Sequence, residues 1–392
     1  MSSLPAPLAG PTAPEYAAMP PPPSRRAPAL ARLVLCAALL GAAAARAQEE
    51  EKVLVVYNWT DYIADDTIAG FERETGIKVW YDTYETNEQL QARLAARQSG
   101  FDVVVPSSTW ARGQAAAGLL RPLDKALLPN LRNLDPEFER TLARLDSGND
   151  HLVPWLWGYV TLGINVDKVK AALGDLPMPE NAWDLLFKKA YVSRLARCGV
   201  SVLDSSTEVI PAALHYLGRP AFSSRLGDYV DVPGLLAGIR RSVTLFSSSS
   251  YIDELARGNL CLALGYSGDL HMARVRAQEG RTGQRIETLL PRTGGILFMD
   301  AMAIPIDAPH PRNAHLFINY ILRPEVHAAL TNKTFYASAN RPAQRLVAPS
   351  ISGDRTVYLP PQELRRMAQP APLDADTRRV MARLFAQFKT GM

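Results

Sequence analysis

Leu54-Val55-Val56-Tyr57-Asn58-Trp59-Thr60-Asp61-Tyr62 is an apolar strand that runs directly into aromatic, hydroxyl and carboxylate side chains. Residues at the carboxyl end of a strand open onto the ligand crevice of an α/β sheet. An indole face, a hydroxyl and a carboxylate within residues 59–62 suit a cation carried on an apolar stem, because the ring quadrupole and the carboxylate both attract positive charge. Taken by itself, the stretch is equally compatible with a strand-end turn in which Trp59 plugs the core. Working outward, 53–57 reads as strand, 65–75 as helix, 78–84 as strand, 87–98 as helix and 101–106 as a buried strand. Ile68 and Phe71 share one face of the first helix, and Gly76 supplies the left-handed residue that ends it. Strands separated by single helices predict right-handed βαβ units and a parallel sheet.

The first 47 residues are of a different kind. They are rich in Pro and Ala, carry an apolar run at 33–45 and end in Ala45-Arg46-Ala47. That run is shorter than the ~20 residues a membrane-spanning helix needs, and the small-residue ending reads as a secretory signal peptide, residues 1–47, cleaved before Gln48. The long leading region raises Met19 as an alternative start to Met1. Cys36 follows bulky Leu35 inside the apolar run, which argues against lipidation. Of 43 basic and 39 acidic residues, four basic ones (Arg25, Arg26, Arg32, Arg46) and one acid (Glu15) fall in this segment, so its removal takes the net charge from +4 to about +1. No basic patch remains to argue for nucleic acid. About 345 residues without another long apolar run predict a protein that does not insert in the membrane, with two lobes, since one core rarely serves that length. The two remaining cysteines, Cys198 and Cys261, form an even pair in an exported chain with no Cys-x-x-Cys and no nearby His, which reads as a disulfide and not a metal site.

Residues 152–166 form a long extended stretch interrupted by Pro154 and Gly158, of the sort that crosses between lobes. A second set of strands is expected at 199–203 and 260–266, and 294–306 is expected to carry the chain back. Several strand ends share the same residue types: Ser107-Ser108-Thr109, Asp204-Ser205-Ser206-Thr207-Glu208, Tyr266-Ser267-Gly268-Asp269, Phe298-Met299-Asp300 and, after a helix, Phe335-Tyr336. Each is weak alone, since an Asp after a strand is most often a cap or a turn residue. Their recurrence carries the weight.

Tyr57-Asn58-Trp59-Thr60-Asp61-Tyr62, Glu74-Thr75-Gly76-Ile77-Lys78-Val79, Thr86-Asn87-Glu88, Phe101-Asp102-Val103-Val104-Val105-Pro106-Ser107, the segment around Leu134-Asp135-Pro136, Phe298-Met299-Asp300 and Tyr320-Ile321-Leu322-Arg323-Pro324-Glu325-Val326 together resemble the periplasmic putrescine/spermidine-binding proteins of bacterial ABC transporters. The resemblance covers 53–392, and Cys198 and Cys261 match the cysteine pair of its putrescine-binding branch. It implies a type II periplasmic binding-protein fold, an α/β clamp whose lobes are 48–157 with 300–344 and 158–299 with 345–392, closing on a polyamine. By resemblance, Trp59 and Tyr336 wall the methylene chain, with Tyr266 and Phe298 lining the rest. Asp269 and Asp300 match the carboxylates at one ammonium end, and Thr60, Asp61, Ser107 and Glu208 match the set around the other. Tyr62 is expected just behind the ligand and Asp204 in a turn. No cofactor, metal or catalytic residue is implied. The implied partners are a polyamine and an inner-membrane ABC permease, the compartment is the periplasm and the chain is expected to be a monomer.

Tyr266 stands where many relatives have Trp, and Thr60-Asp61 combines choices found in different branches. Asp61, Glu208 and the cysteine pair favour putrescine; Thr60 and the smaller Tyr266 leave room for spermidine. A glycosidase-like use of Asp269, Asp300 and Glu208 is the enzymatic rival. Against it, the chain has no Gly-x-Ser-x-Gly elbow, zinc motif or phosphate loop, and its six histidines fall outside the candidate site motifs. A polyamine sensor or adaptor that serves no transport is the second rival.

Overall fold

The computed structural model describes residues 50–391. The expected signal peptide, the alternative start at Met19 and Cys36 lie outside them. Among the described residues, no helix is long and apolar enough to cross a membrane.

The chain opens with β1 (Val53–Trp59), helix Thr67–Thr75, β2 (Lys78–Tyr84), helix Asn87–Ala95 and β3 (Val103–Val104). The strands form a parallel sheet in the order β2-β1-β3, so the alternation of short apolar runs with helical periodicity does produce the expected βαβ units. Gly76, at φ 69°, caps the first helix in the left-handed region. Thr86 and Gln89 cap the second reciprocally, as a capping box. The strand expected over 101–106 is shorter than predicted, although all six residues are buried. Beyond Val104 the backbone turns to pair with a distant segment: Val104 and Ala303 exchange both N–H···O bonds, and Ala301 N donates to the Pro106 carbonyl.

The second sheet contains β4 (Val153–Asn165), β5 (Val200–Val202), β6 (Leu245–Phe246), β7 (Leu262–Tyr266) and β8 (Ile286–Thr288), in the order β6-β5-β7-β4-β8, with β9 (Ile296–Met302) also paired to β4. All thirteen residues of β4 are buried. The register of β4 against β9 shifts between Pro154 and Trp157, where Pro cannot donate to the ladder.

Two large hydrophobic cores result, beside a small cluster around Ala343 and Ile351. The first joins Leu54, Val56 and Phe71 to Trp155, Met302 and Phe317; the second joins Val160, Leu162 and Val202 to Leu264, Leu270 and Met381. Strands β4 and β9 each contribute residues to both, Tyr159 and Val160 in β4, Met302 and Ile296 in β9. The stretches 152–166 and 294–306 each supply buried side chains to both cores. Within 345–392, Leu359 and Met367 pack in the first core, Ala368, Leu373 and the helix Ala375–Thr390 pack against the second, and Val347, Ile351 and Val357 join the small third cluster. Cys198 and Cys261 are bonded, with Cα atoms 5.4 Å apart across 63 residues. They precede β5 and β7, at the opposite strand ends from Glu208 and Tyr266.

Candidate binding cleft

Strand carboxyl ends from both sheets converge on one cleft with about 580 Å³ of empty space, its open mouth included. All ten residues singled out in the sequence line it: Trp59, Thr60, Asp61, Ser107, Glu208, Tyr266, Asp269, Phe298, Asp300 and Tyr336. Tyr62 lines it directly. Asp204 does not, because its carboxylate is held by Lys389 Nζ at 2.7 and 2.9 Å.

The aromatic side is fixed by hydrogen bonds to backbone. Trp59 Nε1 and the Tyr84 hydroxyl both donate to the Val105 carbonyl, at 2.8 and 2.6 Å, which holds the two rings 4.4 Å apart. Tyr266, Phe298, Tyr336 and Tyr62 continue the wall in edge-to-face contacts with centroid distances of 5.4, 5.9 and 5.0 Å. Two glycines make room for Tyr336: a Cβ on Gly268 would sit 2.5 Å from its Cε2, and one on Gly158 would sit 2.8 Å from its Cδ1.

The acids are embedded among these rings. Asp269 accepts from the Tyr251 hydroxyl at 2.7 Å and from the Tyr336 hydroxyl. Tyr336 belongs to the first core and Tyr251 to the second, so Asp269 is gripped from both. Asp300, 4% exposed, accepts from the Ser107 hydroxyl at 2.8 Å. Ser107 was expected with Thr60, Asp61 and Glu208; it serves Asp300 because the two residues face each other in a β-bridge, and Asn87 exchanges side-chain bonds with it from behind. Burial pushes the Asp300 carboxyl up to about 7, against the opposing pull of the Ser107 and Tyr62 hydroxyls. Burial likewise pushes Asp269 up to about 6, offset by its two tyrosines. Glu208, at the start of helix Ser206–Tyr216, is raised well above the carboxylate range by desolvation and by the charges of Asp300 and Glu88.

Removing a carboxylate from water costs several kcal/mol unless it is paired. No lysine, arginine or histidine is among the residues lining the cleft. The site thus presents buried carboxyls that resist ionising while it is empty, flanked by π-faces, and a cation with an apolar stem stabilises their charged forms.

Sequence reasoning missed Tyr84, Glu85, Ser248, Ser249 and Ile252, which also line the cleft. Glu85 follows the carboxyl end of β2, the same strand-end signal that pointed to Trp59. Ser248 and Ser249 belong to the serine run 247–250 after β6, a hydroxyl-after-strand pattern like that of Ser107. Tyr251, which supports Asp269 and accepts from Tyr266 N at 3.0 Å, carried no such signal.

The profile of the bacterial extracellular solute-binding protein family matches residues 66–354. The chain is 43% identical over 340 residues to the putrescine-binding periplasmic protein SpuD of Pseudomonas aeruginosa, covering 87% of this chain and 92% of that protein. It is 40% identical over 341 residues to the putrescine-binding periplasmic protein PotF of Escherichia coli, covering 87% and 92%. Among solved structures, a spermidine/putrescine ABC transporter protein of Listeria monocytogenes superposes with a TM-score of 0.77 at 28% identity, covering 87% of this chain and all of that one. With two α/β cores sharing the crossing strands β4 and β9, and strand ends from both meeting at a cleft, the chain has the type II periplasmic binding-protein fold and belongs to the bacterial extracellular solute-binding protein family.

Proposed function

We propose that this protein captures a polyamine in the cleft, putrescine by preference and spermidine as a second ligand, and delivers it to an inner-membrane ABC permease from the periplasm. The observation that carries this reading is the pair of buried carboxylates, Asp269 and Asp300, with Glu208 beside them, set among six aromatic rings and lined by no cationic side chain. A diamine has two strongly hydrated charges joined by methylenes, and a site of this composition replaces both kinds of solvation. The names of the SpuD and PotF relatives support the same ligand class.

The ten lining residues named from sequence are the proposed ligand contacts, with Trp59 and Tyr336 on the methylene chain and Asp269 and Asp300 on ammonium groups. The two cores act as the lobes of a clamp, and bound ligand shifts the population toward the form that a permease recognises. The protein works as a monomer and performs no chemistry on its ligand. Calorimetric titration of the mature protein, refolded after unfolding to strip bound ligand, tests the reading with putrescine, cadaverine, spermidine, spermine and a panel of amino acids. A preference for an anionic or zwitterionic amino acid over all four polyamines overturns it. Loss of polyamine uptake on gene deletion separates transport from the sensor reading.

A further inference from the structure

Two acids border the mouth of the cleft on the side of the first sheet. Trp59 and Tyr84 are register partners in the parallel pair β1–β2, and Asp61 and Glu85, two residues and one residue past those strand ends, both line the cleft. Their surroundings differ. Asp61 accepts from Arg276 Nη2 at 2.8 Å, so its charge is already neutralised. Glu85 accepts only from a neutral group, the Ser249 hydroxyl at 2.8 Å, and makes no ion pair among the described residues.

We infer that Glu85 is the carboxylate that meets the third ammonium of a triamine, and that it sets how far this cleft discriminates spermidine from putrescine. The inference rests on the polyamine reading and deepens it. With two ammonium groups held by Asp269, Asp300 and Glu208, a longer chain continues outward past the Trp59–Tyr84 wall and emerges between Arg276 and Glu85. The Arg276 charge is shared between Asp61 and Asp253, and Glu85 is the acid without an ion pair among the described residues that can attract the emerging cation. The ammonium replaces the Ser249 hydroxyl on Glu85 Oε1, exchanging a neutral hydrogen bond for a charge-assisted one. Glu85 is exposed, so the gain is that of a solvent-screened pair, a factor of about five in affinity.

The test is titration of putrescine and spermidine into the wild type, Glu85→Gln and Ser249→Ala. The spermidine-to-putrescine affinity ratio is expected to fall about fivefold in Glu85→Gln. In Ser249→Ala, where the competing hydroxyl is gone, the ratio is expected to hold or rise. Equal losses of both ligands in Glu85→Gln overturn the inference, because they assign Glu85 to holding the lobes together through Ser249. An unchanged ratio overturns it too. Putrescine binding by the wild type alongside either result leaves the polyamine reading standing, whereas a wild type that binds neither ligand removes both.

Discussion

Arg276 Nη2 donates to Asp61 Oδ2 at 2.8 Å while its Nη1 donates to Asp253 Oδ1 at 2.9 Å, so one guanidinium ties the end of β1 to two helices of the second core. Asp61 reaches this position from the left-handed region, at φ 56°, which orients its carboxylate across the mouth. The pair is 35% and 43% exposed, and solvent-screened pairs contribute at most about 1 kcal/mol. Arg276→Gln is therefore expected to change putrescine affinity by less than about fivefold in calorimetry. A hundredfold loss would assign Arg276 to the grip on the ligand.

Trp59→Ala removes a ring pinned by Val105 and packed on Tyr84. It takes away both stacking area and a cation–π contact, so polyamine binding is expected to weaken by about 2 kcal/mol or more. In the wild type, Trp59 fluorescence should shift on ligand addition. Affinity equal to wild type within error removes Trp59 from the contact surface.

Asp300→Asn keeps the shape of the side chain and deletes its charge. Removing one member of a buried charge pair typically costs about 2 to 5 kcal/mol, so binding should fall by more than a factor of ten. Mass spectrometry of polyamine recovered after long incubation with the wild type should show the ligand unaltered. Recovery of a modified product would instead support an enzyme.

The pH dependence has a definite sign. Burial pushes Asp300 up to about 7 and Asp269 up to about 6 in the folded protein, above the ordinary carboxyl value of 3.8, so the folded state holds more protons than the unfolded one between those limits. The stability of the ligand-free protein contributed by these groups therefore falls as pH rises from about 4 to about 7. A cationic ligand favours the ionised forms, so binding releases protons. Thermal melts with and without putrescine should show a larger ligand-induced increase in Tm at pH 7.5 than at pH 5.5. An increase of equal size at both would rule out proton release by these two carboxyls.

Cys198→Ser with Cys261→Ser opens a loop spanning 63 residues of sequence, for which chain entropy gives about 4 kcal/mol. Denaturant unfolding should register that loss of stability. Putrescine affinity of the folded double variant should stay within about twofold, because the bond lies at the strand ends opposite the cleft. A large affinity loss in a folded variant would show that the bond shapes the cleft.

Much of this was legible locally. The run into Trp59 and the cap at Gly76 identified the first βαβ unit, and repetition of acids, hydroxyls and aromatics after strands flagged the strand ends, among which the family resemblance singled out the ten lining residues. Strands β6 and β8 were not legible, since two and three residues carry no periodicity. Partnerships were illegible for another reason. Ser107 and Asp300 are 193 positions apart and Asp61 and Arg276 are 215 apart, so only the crossing strands and the closure of the two cores bring them together. Arg276 lies in a helix whose apolar residues follow no clear stripe, and nothing in the sequence marked the face that it presents to Asp61.

Asp300 lies within β9, the strand whose ends, Ile296 and Met302, are anchored in different cores. Leu297, Met299 and Ala301 all pack in the first core, so a charge bound at Asp300 is held by that core, a few residues from where β9 passes to the second. The contacts at the exposed rim are of another kind, Asp61 with Arg276 and Glu85 with Ser249. On the clamp reading proposed above, substitutions at Asp300 should alter how long a ligand stays, and substitutions at Asp61 or Arg276 how fast the cleft closes.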